Sequence, residues 1–128
     1  MKDIYLITAS FVGEITRDFK GYLDMAHRAG YTGLELFRGP YDEYTPKELK
    51  KVLEEYDLTA ISAHVDIPDT DKMLEYLPET GVKFIVCPGL RVGSREEAYE
   101  KAELLNQLGK KAKAAGLTVM TPAEAAEA

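Results

Sequence analysis

One phrase recurs along this chain: a helix-forming stretch, a small residue, a glycine or its stand-in, and then an apolar run. It reads AHRAGYTGLEL at 26–36, PETGVKFIVCP at 78–88 and AKAAGLTVM at 112–120, with a degenerate copy, EEYDLTAISAH, at 54–64. Each copy closes a helix with a residue tolerant of positive φ (Gly30, Asp57, Gly81, Gly116) and starts a strand at once. With the leading run IYLIT at 4–8, the pattern predicts five strands and four helices. Helices and strands alternating through such short joints build parallel βα units, and the number of units decides what the chain can do.

The first strand is predicted at Ile4–Thr8, apolar on both faces as a covered parallel strand should be. A helix is expected from Arg17 to Ala29 behind a Thr16 N-cap, with Phe19, Leu23 and Ala26 toward the sheet. Gly33–Phe37 is the second strand, and the next helix starts with Thr45 as N-cap, Pro46 at N1 and Glu48 at N3. That helix buries Leu49, Val52, Leu53 and Tyr56. Thr59–Val65 follows as a strand, then a short helix near Thr70–Leu77 and a fourth strand at Lys83–Cys87. The last helix opens with the capping box Ser94-Arg95-Glu96-Glu97 and carries the stripe Ala98, Ala102, Leu105, Leu108, Ala112. Leu117–Met120 is the fifth strand, and TPAEAAEA after it reads as a short helix begun by Thr121 and Pro122.

The 128 residues make one domain, 1–128, with 45% hydrophobic and 30% charged residues and no linker-like stretch. No run approaches the ~18 apolar residues of a membrane span, and MKDIYLIT lacks a cleavage site, so a soluble cytoplasmic protein is expected. The single Cys87 fits a reducing compartment. A net charge of −6 with no basic face argues against nucleic acid as a partner. Lys110, Lys111 and Lys113 cluster where a helix ends, and cations complement the helix dipole there.

Two α/β folds accommodate these units: a (βα)8 barrel cut short, or an open flavodoxin-like or response-regulator-like sheet. The open sheet makes chemical demands that the residues meet poorly. A response regulator needs acidic residues after the first strand, where this chain has Thr8-Ala9-Ser10, and a phosphoacceptor Asp after the third strand, which here ends at His64 with Asp66 two residues further on. Thr8, Ser10, Gly13 and Thr16 only loosely imitate a flavin phosphate loop.

AGYTGLELF, the helix PKELKKVLEEYDL, then AISAHV, GVKFIVCPGL and EEAYEKAELLNQLGKKAKAAGLTV together resemble the sugar phosphate isomerase/epimerase family, the xylose isomerase-like TIM barrels. The resemblance rests on the order and spacing of these segments and runs from the first strand to the fifth. It implies a barrel whose members isomerise, epimerise or dehydrate sugars and polyols with a divalent metal, held by carboxylates and histidine on strands 5 to 8. Family members read something like YHNHxxEF after the fifth strand, where this chain has Met120-Thr121-Pro122-Ala123. The expectation is therefore a half TIM barrel, (βα)4 plus a fifth strand, without the main metal ligands and acid/base pair. No cofactor is expected for the chain on its own.

In such a barrel, side chains at the C-terminal ends of strands face the pocket. If Leu34 and Leu36 face the helices, Glu35 points into the barrel mouth, either as a pocket carboxylate or as one merely solvated at an open face. His64 matches the family's pocket histidine and could serve as acid, base or ligand, although one histidine cannot hold a catalytic metal alone. Arg38 and Arg91, beyond the second and fourth strands, are candidate contacts for an anionic sugar phosphate or are simply solvated. Cys87 reads as a small buried side chain and His27 as a surface residue. Asp66, Asp69 and Asp71 lack a calcium-loop pattern and are expected to cap the short third helix. Tyr41 and Tyr44 either meet substrate or pack on the second helix.

Open strand edges and an uncovered inner face invite association, and a homodimer is the expected partnership. The function expected is a half-barrel related to sugar phosphate isomerases/epimerases without activity of its own. The alternative is a metal-dependent sugar or polyol isomerase/epimerase with a site completed across a dimer.

Overall fold

A computed structural model describes residues 2–37, 40–88 and 90–122. Five strands, β1 (Tyr5–Ile7), β2 (Gly33–Phe37), β3 (Thr59–His64), β4 (Phe84–Val86) and β5 (Thr118–Met120), form one parallel sheet. Their order is β1-β2-β3-β4-β5, without a crossover. A flavodoxin-like sheet would read 2-1-3-4-5, so the open alternative falls. Right-handed connections between sequential parallel strands carry every helix to the same face. The sheet is thus an arc of barrel wall, with helices outside and an inner face left open.

The helices are α1 (Val12–Arg17), α2 (Phe19–Arg28), α3 (Pro46–Glu55), α4 (Thr70–Tyr76) and α5 (Arg95–Ala114), with short 3-10 turns at Thr8–Phe11, Ile67–Asp69 and Leu77–Thr80. The expected first helix is therefore two. Asp18, not Thr16, caps the longer piece: its carboxylate accepts the Gly21 N–H at 2.9 Å. Thr16 instead turns its hydroxyl back to the carbonyls of Val12 and Gly13, which suits a residue inside a helix and rules out a phosphate loop there. The start of α3 follows its sequence signature. Thr45 Oγ1 accepts from Glu48 N–H, and the Glu48 carboxylate accepts from Thr45 N–H at 2.9 Å.

Alternation along the strands divides the two faces. Leu34 and Leu36 on β2, Ala63 on β3 and Ile85 on β4 are fully buried against Leu23, Leu49, Leu53 and Leu77 from the outer layer. Each such aliphatic side chain contributes ~1.5–3 kcal/mol of transfer free energy. On the inner face Tyr5, Ile7 and Met120 stay 41%, 37% and 40% exposed. The first strand is therefore covered on one side only, contrary to the two-sided burial expected for it, because among the described residues no other layer packs on the inner side. The stripe on α5 is likewise covered only in part. Leu108 and Ala112 are buried against the sheet, whereas Ala98 and Ala102 in the first half are exposed. A helix of 20 residues overruns three-residue strands, so among the described residues its N-terminal turns are left uncovered.

The joints behave as their sequence requires. Gly30, Gly81 and Gly116 have φ of 90°, 91° and 80°, and Asp57, the stand-in, has φ of 54°. A Cβ built on Gly81 or Gly116 would meet no atom within 4 Å, so space is not what selects glycine there. Backbone conformation alone does. Gly81→Ala and Gly116→Ala are each expected to cost about 1 kcal/mol, read from the urea unfolding midpoint at unchanged slope. A loss near zero at both positions would disprove this account of the joints.

Candidate functional site

The site is set by an irregularity in the pairing of β2 with β3. Leu34 lies opposite Ala60, but the next residue, Glu35, lies opposite Ser62, so Ile61 is an extra residue on β3. Beyond the bulge Leu36 pairs with Ala63 and Phe37 with His64. Glu35, Phe37, Ser62 and His64 consequently share the inner face at the C-terminal end of the strands. In a regular ladder Ile61 would stand opposite Glu35.

The carboxylate of Glu35 is held from both sides. Ser62, 2% exposed, donates its hydroxyl to Oε2 at 2.6 Å, and Oε1 lies 2.7 Å from Nε2 of His64. The side chains of His64 and Glu35 are 12% and 29% exposed, so the pair sits at the edge of solvent rather than in it. This accounts for a carboxylate inside a strand, because its desolvation is offset by two strong hydrogen bonds. The imidazole is steadied by Phe37, whose ring meets it edge-on at a centroid distance of 5.3 Å. Phe37 is itself fixed by Thr8, buried at the end of β1. Thr8 Oγ1 accepts the Phe37 N–H at 2.6 Å and donates to the Phe37 carbonyl at 3.3 Å.

His64 forms part of the wall of a cavity of about 410 Å³, together with Phe37, Tyr41, Asp42, Asp66, Asp69, Lys72 and Pro88. Its second ring nitrogen, Nδ1, is buried and has no hydrogen-bond partner. Asp42 and Lys72 approach to 3.5 Å across the rim. Tyr76 donates its hydroxyl to the Tyr44 carbonyl at 2.6 Å and meets Tyr41 edge-on at 5.5 Å, which ties the loop after β2 to α4. Tyr44 packs against Phe19 of α2 at 5.7 Å rather than on the helix after it.

The other candidates fall elsewhere. Arg91 is exposed on the loop after β4 and takes no part in the cavity wall; Arg38 lies outside the described residues, as do Ala123–Ala128 of the expected terminal helix. Cys87 is fully buried, and burial, then the nearby Asp66 charge, push its thiol upward. His27 is half exposed on α2, 4.0 Å from Asp57. The aspartates stand where expected, Asp69 at the N-cap position of α4 and Asp71 in its first turn, but neither Asp66 nor Asp69 makes a side-chain cap bond, and Asp71 pairs with Lys111 of α5 at 2.8 Å. Asp66 and Asp69 face the cavity instead.

Among the described residues no group of three His, Cys, Asp or Glu side chains gathers closely enough to hold an ion. Nε2 of His64 is already committed to Glu35, which leaves one free histidine nitrogen. What the arrangement can do by itself is move a proton: a carboxylate-backed imidazole is a general base or acid near neutral pH.

Ser62 and Thr8 are the contributors that sequence reasoning missed. The period of two that puts His64 in the mouth also puts Ser62 beside it, so the signal was present for one of them. Among the described residues no helix is long and apolar enough to cross a membrane.

Around the site lie groups whose ionisation opposes folding. Burial, then the neighbouring Glu48 and Asp42 charges, push the Tyr76 phenol up to about 12; burial, then Tyr31, do the same to Tyr22. With Cys87, these are acids whose folded pKa exceeds the unfolded one, so the unfolded chain ionises first as pH rises. Their stabilisation is fully present below about pH 9 and is lost as pH climbs toward about 12. Thermal melts at stepped pH should show a midpoint falling through that alkaline window, with a shallower fall in Tyr22→Phe.

No protein-family model matches the sequence, and no curated protein matches it. Solved structures do. A sugar phosphate isomerase/epimerase from Parabacteroides distasonis ATCC 8503 is 26% identical with a TM-score of 0.80, covering 94% of this chain and 50% of that one. The IOLI protein, solved with a zinc atom, is 13% identical with a TM-score of 0.70 over 94% of this chain and 51% of its own. L-ribulose 3-epimerase is 16% identical with a TM-score of 0.72 over 94% and 49%. The chain spans about half the length of the solved structures it matches.

Proposed function

We propose that this chain, one half of a sugar phosphate isomerase/epimerase barrel of the xylose isomerase-like type, supplies half of a proton-transfer site and turns nothing over by itself. The observation that carries this reading is the 2.7 Å contact between Glu35 and His64 at the mouth of the cavity. Isomerising or epimerising a sugar or polyol requires removing a proton beside a carbonyl or carbinol carbon and returning it elsewhere. The imidazole is the base for one of those steps, and an opposing group must serve the other. A small sugar or polyol, free or phosphorylated, is the substrate class that the similar structures support.

The opposing group comes with a second half-barrel laid on the open inner face, and a second copy of this chain is the partner we favour. Tyr5, Ile7 and Met120 all stand partly exposed on that face, and covering what remains exposed would gain about 1 kcal/mol each. The free edges of β1 and β5 offer parallel pairing to the same partner. A cytoplasmic setting suits the lone buried thiol of Cys87.

Light scattering at micromolar concentration should give a mass about twice 14.3 kDa; a monodisperse monomer overturns the association. The associated protein, assayed on a panel of ketoses, aldoses and their phosphates, should lose activity on the order of 100-fold or more in His64→Ala. Turnover by a dilute monomer refutes the half-site. A second reading, a metal-dependent site completed across a dimer, is favoured by the free Nδ1 of His64 and by the zinc in one similar structure. Stoichiometric metal that is lost in His64→Ala would select it.

A further inference from the structure

The position of each hydrogen bond says which nitrogen of His64 carries the proton. Oε1 of Glu35 lies 2.7 Å from Nε2, and its other oxygen is occupied by the Ser62 hydroxyl at 2.6 Å. An ionised carboxylate only accepts, so Nε2 must carry the proton. Nδ1 then bears the lone pair. That atom is buried without a partner, on a residue that helps form the cavity wall. An orphaned buried acceptor costs free energy, so the hydrogen bonds on the other side of the ring must hold this orientation against that cost.

We infer that Ser62 and Glu35 are positioning residues that lock His64 as its Nε2–H tautomer and leave the lone pair on Nδ1. The inference rests on the proposed role of His64 as a proton-transfer group and adds which tautomer it holds and what fixes it. The order of dependence is Ser62 on Glu35 and Glu35 on His64. Ser62 is almost fully buried and cannot swing away, so Oε2 is tethered and Oε1 keeps its aim. Phe37, edge-on to the ring, restricts rotation that would exchange the two sides of the imidazole. Among the described residues the Nε2–H bond to Glu35 is thereby the one polar contact that fixes the ring, and it holds as long as Ser62 tethers the carboxylate.

Nuclear magnetic resonance of 15N-labelled protein tests this without any turnover. In the wild type the Nδ1 resonance of His64 should lie where an unprotonated ring nitrogen resonates, and Nε2 should carry its proton, far downfield and slow to exchange. In Ser62→Ala that proton should exchange on the order of tenfold faster, as one charge-assisted hydrogen bond is lost. In Glu35→Ala it should vanish into solvent exchange for want of the carboxylate that accepts it. Asp42, Asp66, Asp69 and Lys72 border the same cavity and are unchanged in both variants, so the comparison isolates Glu35. A wild type carrying its proton on Nδ1 overturns the inference, as does a Glu35→Ala protein with an unaltered Nε2–H signal. If Glu35→Ala fails to fold, the wild-type assignment and Ser62→Ala still decide. The underlying reading fails separately, when the tautomer is as described but His64→Ala leaves turnover of the associated protein intact.

Discussion

Glu35 is a charged residue in the second strand of a parallel sheet, and much of this half-barrel's chemistry follows from how that charge is accommodated. A carboxylate between Leu34 and Leu36 must leave the helix-covered face, since both leucines are fully buried there. The inner face receives it, and the extra residue Ile61 on β3 brings Ser62 and His64 opposite. Two hydrogen bonds then hold the anion at a depth where water alone would not reach it fully. Remove the bulge and Glu35 would face an isoleucine with no donor in reach. The local flaw in the ladder is therefore what makes a proton-handling pair out of residues that are 29 positions apart.

The support of that pair extends beyond the two strands. Thr8 fastens the end of β2 to the end of β1 through both polar groups of Phe37, and Phe37 in turn bears on the imidazole. The pair thus rests on three consecutive strands, which a sheet with sequential order keeps adjacent. Rigid strands rather than loops carry it, and geometry for proton transfer tolerates little displacement.

Much of this was written in local sequence. The four joints with positive φ were legible because only glycine, or a residue such as Asp57, adopts that backbone cheaply. Gly33–Phe37 and the capping box of Thr45 and Glu48 were legible for the same reason: their determinants lie within a few residues. That Glu35 points inward could be read from alternation, whereas His64 was placed by the family resemblance because the bulge on β3 interrupts the alternation there. Their contact could not, because the bulge that aligns them depends on pairing between distant segments. The cap at Asp18 was misread as Thr16, since either side chain could serve and tertiary packing of Phe19 and Leu23 settles where α2 begins. The α5 stripe was overread for a related reason: periodicity reports which residues could be covered, not whether anything is there to cover Ala98 and Ala102.

The sequential strand order carries one more consequence, for how the molecule comes to be folded. Every strand pairs only with its chain neighbours, so each hairpin-free βα step closes a loop of modest size onto the step before it. A ribosome releasing such a chain delivers every partner in the order of docking, and β3 can dock on β2 before β5 has been translated. Assembly by accretion of this kind leaves few competing registers to unlearn. The costly long-range search is deferred to the moment when two finished arcs meet.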